Sequence, residues 1–404
     1  MAEQEASVDV WFSSRDEQLP RAYLFSEMAR EVEKYRAAHP GVRLCRLGIG
    51  DATRPIGGCI VAALHRAVAE RGDAAHFRGY APDGGYAFAR QAIAGYYARR
   101  GVGVSADEIF VSDGAKSDLF RTAGLFGSLP AVLPDPGYPA YADDTLLVGR
   151  EIIWLRGNKD NGFLPSPDAL ERSAKDRPCL IYLCSPANPS GTAYTKEGLQ
   201  AWVNHAKRTE SILLFDAAYE AFLPQDAPHS IYEAEGAQSC AVELCSLSKS
   251  ASFTGMRFGW TVVPAALTRR GQSLRDRMAR RTAATFNGVP YIVQRAAEAA
   301  LSEEGRRESA SNVGQYLQSA ACLASALSDC GIRFFGGAAA PYLWVDGGGR
   351  EDRALFREWL EAGLITTPGS GFGAGGRGYL RLSSFAPPDE ILLAAERIRK
   401  LRRG

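Results

Sequence analysis

Long apolar runs and an excess of one charge are both missing from the 404-residue sequence. No apolar run approaches the roughly 20 residues that a membrane-spanning helix requires, so we expect no membrane partner. The 47 basic residues nearly balance the 46 acidic ones, which gives a net charge of +1. Nucleic acids and anionic membrane surfaces attract strongly basic proteins, so this balance argues against both. A small-molecule partner is the expectation that remains.

Clustered histidines and paired cysteines are missing as well. The dispersed histidines predict no metal site; they are His39, His65, His76, His205 and His229. The eight cysteines have no C-x-x-C spacing, and the start Met-Ala-Glu-Gln-Glu lacks the basic and apolar regions of an export signal. We therefore expect reduced thiols and a cytoplasmic location.

Alternating strands and helices dominate the first two thirds of the chain. Apolar strands are predicted at residues 109–111, 131–133, 152–154, 180–183 and 212–215, with amphipathic helices between them. This alternation is typical of an α/β fold with a mostly parallel central sheet covered by helices on both faces. Ligands of such sheets bind at the carboxyl ends of the strands.

After Val263 the pattern changes to long helices, predicted at residues 265–281 and 290–329, the second broken near Gly305. Short strands at 332–335, 343–345 and 379–383 and helices at 353–361 and 389–401 follow. A smaller α+β domain is therefore predicted. We divide the chain into an N-terminal arm with part of the small domain (1–55), a large cofactor-binding domain (56–290) and a small C-terminal domain (291–404).

A Ser-x-Ser-Lys sequence followed by Thr-Gly-x-Arg-x-Gly lies within residues 246–260. Taken singly, most lysines are solvated and most Ser/Thr/Gly clusters are loops. Together, the hydroxyls of Ser246 and Ser248 and the guanidinium of Arg257 suit a phosphate. Lys249, held near a cation and away from water, is expected to have a lowered pKa. A desolvated lysine of this kind forms a Schiff base with a carbonyl cofactor.

This order of residues resembles the cofactor-lysine signature of fold-type I pyridoxal-phosphate (PLP) aminotransferases. Asp216 closes an apolar strand and suits a protonated pyridine nitrogen, because a cationic ring withdraws electrons from the substrate carbon. Asn188 lies in the loop 185–191 and offers a rigid amide donor for a phenolate oxygen. An ordinary Asn-Pro turn is the alternative interpretation of that loop taken alone.

Other residues complete the predicted cofactor site. Tyr219, three residues after Asp216, is expected to donate to the same phenolate oxygen. Tyr138, in a proline-rich turn, is placed to stack on a ring, which is worth ~0.5–1.5 kcal/mol beyond burial. Ala115 and Lys116 open a helix, where free N–H groups favour a phosphate.

Arg381 lies in an otherwise apolar strand, where a guanidinium costs desolvation and needs an anionic partner. A substrate α-carboxylate held by two parallel hydrogen bonds is one such partner. A structural salt bridge to Asp or Glu is the other, and Arg381 alone does not decide between them.

Nearly the whole chain resembles one family, the LL-diaminopimelate aminotransferases. The segments specific to that family are Tyr23-Leu24-Phe25, Gly79-Tyr80-Ala81-Pro82-Asp83 and Phe286-Asn287-Gly288. The resemblance implies a homodimer with two active sites at its interface, each borrowing residues from the other subunit. It also implies amino transfer between glutamate/2-oxoglutarate and tetrahydrodipicolinate/LL-2,6-diaminopimelate, in the biosynthesis of lysine and peptidoglycan precursors.

The resemblance further implies a role for each site residue. The catalytic residues would be Lys249, which carries the Schiff base and shuttles a proton, with Asp216, Tyr219 and Tyr138. The cofactor would be bound by Ala115, Lys116, Tyr138, Asn188, Asp216, Tyr219, Ser246, Ser248, Lys249 and Arg257, with Tyr80 of the partner subunit. The substrate would be bound by Tyr23, Gly50, Asp83, Lys116, Asn188, Asn287 and Arg381.

Two departures from the family pattern concern the substrate. Asp83 replaces the usual glutamate, and Gly84 follows in place of a larger side chain. Aspartate keeps the negative charge but is one methylene shorter, so a distal ammonium would be bound after a small shift or through a water. Aminotransferases for aspartate, aromatic or secondary-metabolite amino acids, and a β-eliminating enzyme, stay as alternatives. A cofactor-binding regulator would need a helix-turn-helix segment or a basic stripe, and the sequence has neither.

Overall fold

The computed structural model describes residues 13–20, 24–174 and 176–401. Its strands are β1 Cys45–Arg46, β2 Ile109–Ser112, β3 Ala131–Asp135, β4 Ile152–Arg156, β5 Leu180–Cys184, β6 Ile212–Asp216, β7 Ala241–Ser246, β8 Gly259–Val262, β9 Thr268–Arg269, β10 Gln272–Ser273, β11 Phe334–Gly336, β12 Tyr342–Asp346, β13 Leu364–Ile365, β14 Thr367–Pro368 and β15 Tyr379–Ser383. Its α-helices are α1 Leu24–Ala38, α2 Gly58–Arg71, α3 Ala87–Ala98, α4 Ala115–Ala123, α5 Pro139–Leu147, α6 Pro167–Ala174, α7 Lys196–Arg208, α8 Leu247–Ser250, α9 Leu274–Thr285, α10 Tyr291–Leu301, α11 Glu303–Asp329, α12 Asp352–Glu361 and α13 Pro388–Lys400.

A seven-stranded sheet in the order β2-β8-β7-β6-β5-β3-β4 forms the centre of the larger part of the molecule. Among the described strands of this sheet, only β8 runs antiparallel to its neighbours. Every residue of β5 and β6 is buried, which explains why these strands are continuous apolar runs rather than alternating ones. The predicted α/β fold with a mostly parallel sheet is confirmed.

Helices cover both faces of this sheet. Successive residues of β6 point to opposite faces. Leu213 and Phe215 belong to a core shared with α3, α7 and α10, whereas Ile212 and Leu214 belong to a second core shared with α4, α5 and α9. Asp216 continues the second series and therefore faces the side of α4 and α5.

The register of the parallel strands gathers their carboxyl ends at one edge. Cys184 at the end of β5 pairs with Asp216 of β6, and Asp216 pairs with Leu244 of β7. Asn188 lies in the loop that follows β5, and Lys249 lies in the short helix α8 that follows β7. These residues therefore leave the sheet close together, at the edge where ligands of parallel sheets bind.

A second, smaller sheet has the antiparallel order β11-β12-β15-β14. Its core includes residues of α11, α12 and α13, and also Met28 and Val32 of α1. β1 pairs with β13 in parallel, which ties the early part of the chain to the C-terminal part. The predicted smaller α+β unit is thus present, while the exact domain boundaries stay a prediction.

The first half of the predicted helix 265–281 is wrong. The structure has the hairpin β9–β10 there, and α9 begins only at Leu274, capped by the Ser273 hydroxyl. Arg270 and Gly271 have φ values of 50° and 73°, which a two-residue hairpin turn requires and a helix excludes. The predicted break in the next helix is confirmed, because Ser302 separates α10 from α11 and its hydroxyl accepts from the Gly305 N–H.

The helices of the described residues include none that is both long and apolar enough to cross a membrane.

Candidate active site

A cavity of about 410 Å³ opens at the carboxyl edge of the central sheet. Segments that follow β2, β3, β5, β6 and β7 of the central sheet form one wall, and residues near β1, β12 and β15 form the other. The lining residues are Ile49, Gly50, Asp51, Ala115, Lys116, Leu119, Tyr138, Tyr141, Cys184, Asn188, Asp216, Ala218, Tyr219, Ser246, Ser248, Lys249, Thr254, Arg257, Tyr342 and Arg381. All the predicted site residues except Tyr23, Tyr80, Asp83 and Asn287 are among them.

Lys249 projects into this cavity from the four-residue helix α8. Ser246 begins the helix, and its hydroxyl accepts from the Ser248 N–H at 3.1 Å. The Lys249 ammonium donates to the Gly50 carbonyl and lies 5.6 Å from the centre of the Phe385 ring. Burial lowers the pKa of Lys249 to about 8. A much larger fraction of the amine is therefore neutral and nucleophilic than in a solvated lysine.

Asp216 is a buried carboxylate at the end of β6, 6% exposed. Its partners are the Tyr141 hydroxyl, which donates at 2.7 Å, and the Ala218 N–H, which donates at 3.0 Å. Burial raises the pKa of Asp216 against the opposing effect of these two hydrogen bonds. No ion pair within the described ranges involves this carboxylate. A buried carboxylate in this setting is ready to hold a cation from outside the chain.

Asn188 and Tyr219 supply two donors next to this carboxylate. The Asn188 side-chain oxygen accepts from Arg381 Nη1 at 2.7 Å, which orients the amide so that its NH₂ group is the side left to donate to a ligand. The Tyr219 hydroxyl lies 2.7 Å from the Tyr342 hydroxyl. Burial raises the pKa of Tyr219 well above its ordinary value, so this phenol stays protonated and able to donate.

The hydroxyls of Ser246 and Ser248, the guanidinium of Arg257 and the start of α4 form one end of the cavity. Arg257 Nη1 donates to the Ser248 hydroxyl at 3.1 Å. Gly114 precedes α4 with a φ of 133°, and a side chain there would collide with the Arg257 guanidinium. Glycine suits this position chiefly for its backbone conformation, and it lets the Arg257 guanidinium lie close to the start of α4. A cationic group, two hydroxyls and a helix N-terminus together suit a phosphate.

Arg381 is 1% exposed and lies at the cavity wall on β15. Its Nη2 donates to the Gly48 carbonyl at 2.8 Å. The guanidinium carbon lies 4.5 Å from the centre of the Tyr342 ring and 4.8 Å from that of Phe372. These contacts fix the plane of the guanidinium, which favours two-point binding of a carboxylate from the cavity.

The remaining predicted residues lie elsewhere in the described chain. Tyr80 is 87% exposed, and Asp83 and Asn287 are exposed too. Tyr80 and Asn287 line a separate cavity of about 390 Å³. Tyr23 lies outside the described residues. One chain alone therefore does not bring Tyr80, Asp83 or Asn287 to Lys249.

Sequence reasoning missed two tyrosines of the cavity. Tyr141 donates to Asp216, and Tyr342 contacts both Tyr219 and Arg381. Tyr141 lies on α5, three residues after the N-cap residue Tyr138, so helical spacing was a signal for it. Tyr342 begins the apolar strand β12 and gave no signal of its own.

Comparisons with known proteins agree with this geometry. A family model described as aminotransferase class I and II matches residues 43–398. An LL-diaminopimelate aminotransferase of Agathobacter rectalis is 44% identical over 402 residues, covering 95% of this chain and 98% of that protein. The structure of L,L-diaminopimelate aminotransferase from Chlamydomonas reinhardtii matches with a TM-score of 0.91 and 36% identity, covering 98% of this chain and 100% of that one.

An aspartate aminotransferase structure from Thermus thermophilus has a TM-score of 0.85 at 23% identity, covering 96% of this chain and 99% of that one. At that identity the likeness is one of fold alone. The predicted fold-type I architecture and the predicted resemblance to LL-diaminopimelate aminotransferases are confirmed by these matches. The chain belongs to the class I and II aminotransferase family.

Proposed function

We propose that this chain is a PLP-dependent transaminase that exchanges the amino group between glutamate/2-oxoglutarate and tetrahydrodipicolinate/LL-2,6-diaminopimelate. The observation that carries the proposal is the pairing, in one cavity, of the low-pKa amine of Lys249 with the buried carboxylate of Asp216. The substrate assignment is supported by the named relative at 44% identity. We also propose a cytoplasmic location and no nucleic-acid partner.

The donor set of the cavity fits PLP. The carboxylate of Asp216 suits a protonated ring nitrogen, and Asn188 and Tyr219 suit a phenolate oxygen. The hydroxyl, guanidinium and helix-start cluster suits the phosphate. Lys249 suits the aldehyde, and Tyr138 is a ring in the wall that can stack on the cofactor. When bound, PLP supplies a carbonyl that condenses with amines and a cationic ring that stabilises negative charge at the substrate α-carbon.

The residues of the chain divide the remaining work. Arg381 binds the substrate α-carboxylate and so orients the α-carbon toward Lys249. The Lys249 amine takes the α-proton, because its pKa of about 8 lies near the operating pH. Asp216 would hold the ring nitrogen in its protonated form, and the Tyr219 hydroxyl would donate to the phenolate oxygen.

The exposed Tyr80, Asp83 and Asn287 support a homodimer with shared sites. In the proposed dimer, Tyr80 of one protomer reaches the phosphate cluster of its partner. Asp83 and Asn287, with Tyr23 and Lys116, read the distal ammonium and carboxylate of diaminopimelate. The negative charge of Asp83 complements the positive charge of the distal ammonium. Aspartate is one methylene shorter than the usual glutamate, and the absence of a side chain at Gly84 leaves space for the substrate to shift toward it.

A donor and acceptor panel tests the substrate. Purified protein with PLP should form 2-oxoglutarate from glutamate with tetrahydrodipicolinate, and should catalyse the reverse from LL-diaminopimelate. Aspartate and aromatic donors should be much poorer, and a cysteine-like substrate should release no pyruvate. A holoprotein that turns over aspartate but not diaminopimelate would reject the substrate while leaving transamination intact. Lys249→Ala serves as the inactive control.

A mixing experiment tests the shared site. Lys249→Ala and Tyr80→Ala are each expected to be nearly inactive as homodimers. After mixing and subunit exchange, hybrid dimers contain one site with both native residues, so about a quarter of the sites should regain activity. No recovery in dimers proven to have exchanged would show that Tyr80 serves its own chain.

A further inference from the structure

Tyr342 contacts three parts of the cavity, which are Tyr219, Arg381 and the backbone at Gly50. It is 1% exposed on β12. Its hydroxyl lies 2.7 Å from the Tyr219 hydroxyl, and its ring faces the Arg381 guanidinium at 4.5 Å. A side chain at position 50 would collide with the same hydroxyl, so Gly50 gives Tyr342 its space next to the backbone carbonyl that accepts from Lys249.

We propose that Tyr342 is a positioning residue of the transamination site, whose hydroxyl orients the Tyr219 proton toward the cofactor and whose ring holds the Arg381 guanidinium. The inference rests on the proposed function. It assigns two separate tasks to one side chain. The hydroxyl acts through Tyr219 on the cofactor, and the ring acts through Arg381 on the substrate carboxylate.

The direction of the hydrogen bond between the tyrosines follows from proton counting. Each phenol carries one proton, so one hydroxyl donates to the other. With an anionic oxygen of the cofactor as acceptor, Tyr219 gives its proton to that oxygen, since hydrogen bonds to charged acceptors are the stronger ones. Tyr342 then donates to Tyr219. A hydroxyl that accepts a hydrogen bond becomes a better donor, which strengthens the hydrogen bond from Tyr219 to the cofactor.

The ring of Tyr342 acts on Arg381 without its hydroxyl. It packs on the guanidinium on the side of β12, while Phe372 makes a second ring contact at 4.8 Å. Asn188 and Gly48 accept from the edges of the same guanidinium. Stacking on an aromatic ring restricts the rotation of a planar guanidinium, so the group meets a carboxylate in one orientation.

The test uses holoprotein and two readouts that do not depend on turnover. One is the pH midpoint at which the visible absorbance of the bound cofactor changes. The other is the affinity for succinate, a dicarboxylate that has no amino group to transfer. Tyr342→Phe removes only the hydroxyl, and Tyr342→Leu removes the ring as well. Tyr194→Phe is the matched control, because its buried hydroxyl donates to the Pro165 carbonyl at 3.0 Å outside the cavity.

Tyr342→Phe should raise the absorbance midpoint by about 0.5 pH unit, because a weaker hydrogen bond from Tyr219 leaves the phenolate oxygen more basic. Its succinate affinity should change less than about twofold, whereas Tyr342→Leu should weaken succinate binding by about fivefold. Tyr219→Phe should raise the midpoint further. Adding Tyr342→Phe to that variant should then cause no additional shift, because the hydroxyl acts only through Tyr219. Tyr194→Phe should change neither readout.

Additive midpoint shifts in the double variant would overturn the proposal, and so would an unchanged midpoint in Tyr342→Phe. Unchanged succinate affinity in Tyr342→Leu would overturn the part that concerns the ring. If Tyr342→Leu does not fold, the succinate affinity of Tyr342→Ile tests the role of the ring, and the double variant tests the role of the hydroxyl. A native chain that takes up no PLP would overturn the proposed function itself. A native chain that binds PLP, but whose cofactor absorbance is unchanged by the Tyr342 variants, would overturn only the role of Tyr342.

Discussion

Two buried carboxylates only four residues apart, Asp216 and Glu220, have opposite surroundings. Asp216 is held by the Tyr141 hydroxyl and a backbone N–H, and burial raises its pKa. Burial also acts to raise the pKa of Glu220. The hydrogen bonds from His229 and Tyr96 and the positive charge of Arg100 outweigh that effect, so the pKa is lowered. The acid that serves the fold is thus neutralised within the chain. The acid in the cavity has no ion-pair partner among the described residues, and in the proposed function it holds the cationic ring of the cofactor.

Two basic residues, Lys249 in the cavity and Arg100 beside Glu220, differ in the same way. Burial lowers the pKa of Lys249 to about 8, which favours its neutral form. Arg100 lies 3.0 Å from Glu220 and over the Tyr96 ring, and its acidic partner raises its pKa despite burial. A lowered pKa makes a basic side chain available as a nucleophile or proton acceptor, whereas a raised pKa keeps a structural base charged and paired.

Replacing Asp216 with asparagine is expected to have the largest effect on activity. The asparagine oxygen can still accept from the Ala218 N–H, and its NH₂ group can donate to the Tyr141 hydroxyl, but the side chain has no charge. We expect Asp216→Asn to lower kcat by about 10²–10³-fold, because the bound ring loses the carboxylate that stabilises its positive charge. The cofactor-free variant should unfold at the same or a higher temperature, since a buried charge has been removed. Steady-state kinetics and thermal unfolding measure the two effects.

Glu220→Gln is the matched control for that experiment. It should lower the unfolding temperature, because Arg100 and His229 lose their negative partner, and it should leave kcat nearly unchanged. Equal losses of kcat in the two variants would contradict the division between a structural and a functional acid. So would a large loss of stability in Asp216→Asn.

Removing the structural cation should cost stability rather than activity. Arg100→Met keeps an apolar stem but leaves Glu220 buried beside fewer positive charges. We expect the free energy of unfolding to fall by about 3 kcal/mol, as when one partner of a buried ion pair is deleted. Arg177→Met is the control, because Arg177 pairs with Glu151 on the surface, with the two side chains 47% and 57% exposed. That change should cost less than about 1 kcal/mol in urea denaturation. Similar losses for both would mean that Glu220 gains little from Arg100.

The site was easier to predict from the sequence than the structural network. Asn188, Asp216 and Lys249 each follow an apolar strand, and parallel strands in register bring such residues to one edge. The pairing of Glu220 with Arg100 depends on how α3 packs under the sheet, which no local pattern records. Tyr342 was missed for the same reason. The positive φ of Arg270 explains the misplaced helix start, because an arginine carries no sign of such a turn.

The predicted distal residues show a different limit. Tyr80, Asp83 and Asn287 were assigned from the family resemblance, and the described chain keeps them exposed and away from Lys249. In the proposed homodimer, their role would depend on the surface of the second chain. Residue types and their spacing in one sequence do not indicate where two subunits contact each other.

Glu243 is a third buried acid, outside the cavity, and it too has no cation in direct contact within the described chain. The Tyr97 and Ser230 hydroxyls and the Ile231 N–H donate to it at 2.6, 2.6 and 2.9 Å. Burial raises its pKa to about 7, and nearby Glu220 adds to the shift. The folded chain therefore binds a proton at this position, between about pH 4.5 and 7, that the unfolded chain has released.

Because the folded state holds the extra proton, stability should fall as pH rises through that window. Glu243→Gln resembles the protonated acid and removes this dependence. We expect the free energy of unfolding of the native chain, relative to that of the variant, to decrease by about 2 kcal/mol between pH 4.5 and 7. Urea denaturation across this range measures the difference. A difference that grows with pH would mean that Glu243 is ionised and paired like Glu220.

The pH dependence of cofactor uptake tests the functional base with the smallest expected effect. Reaction with an aldehyde requires the neutral amine, so the rate constant for PLP uptake should follow the deprotonated fraction of Lys249. With a pKa of about 8, that fraction rises from about a tenth at pH 7 to about nine tenths at pH 9, a roughly tenfold increase. Stopped-flow absorbance of the cofactor-free chain mixed with PLP measures it, and Lys249→Ala should show no such phase. A rate that keeps rising tenfold per pH unit up to pH 10 would show an ordinary lysine pKa, and the contrast between Lys249 and a solvated lysine would then disappear.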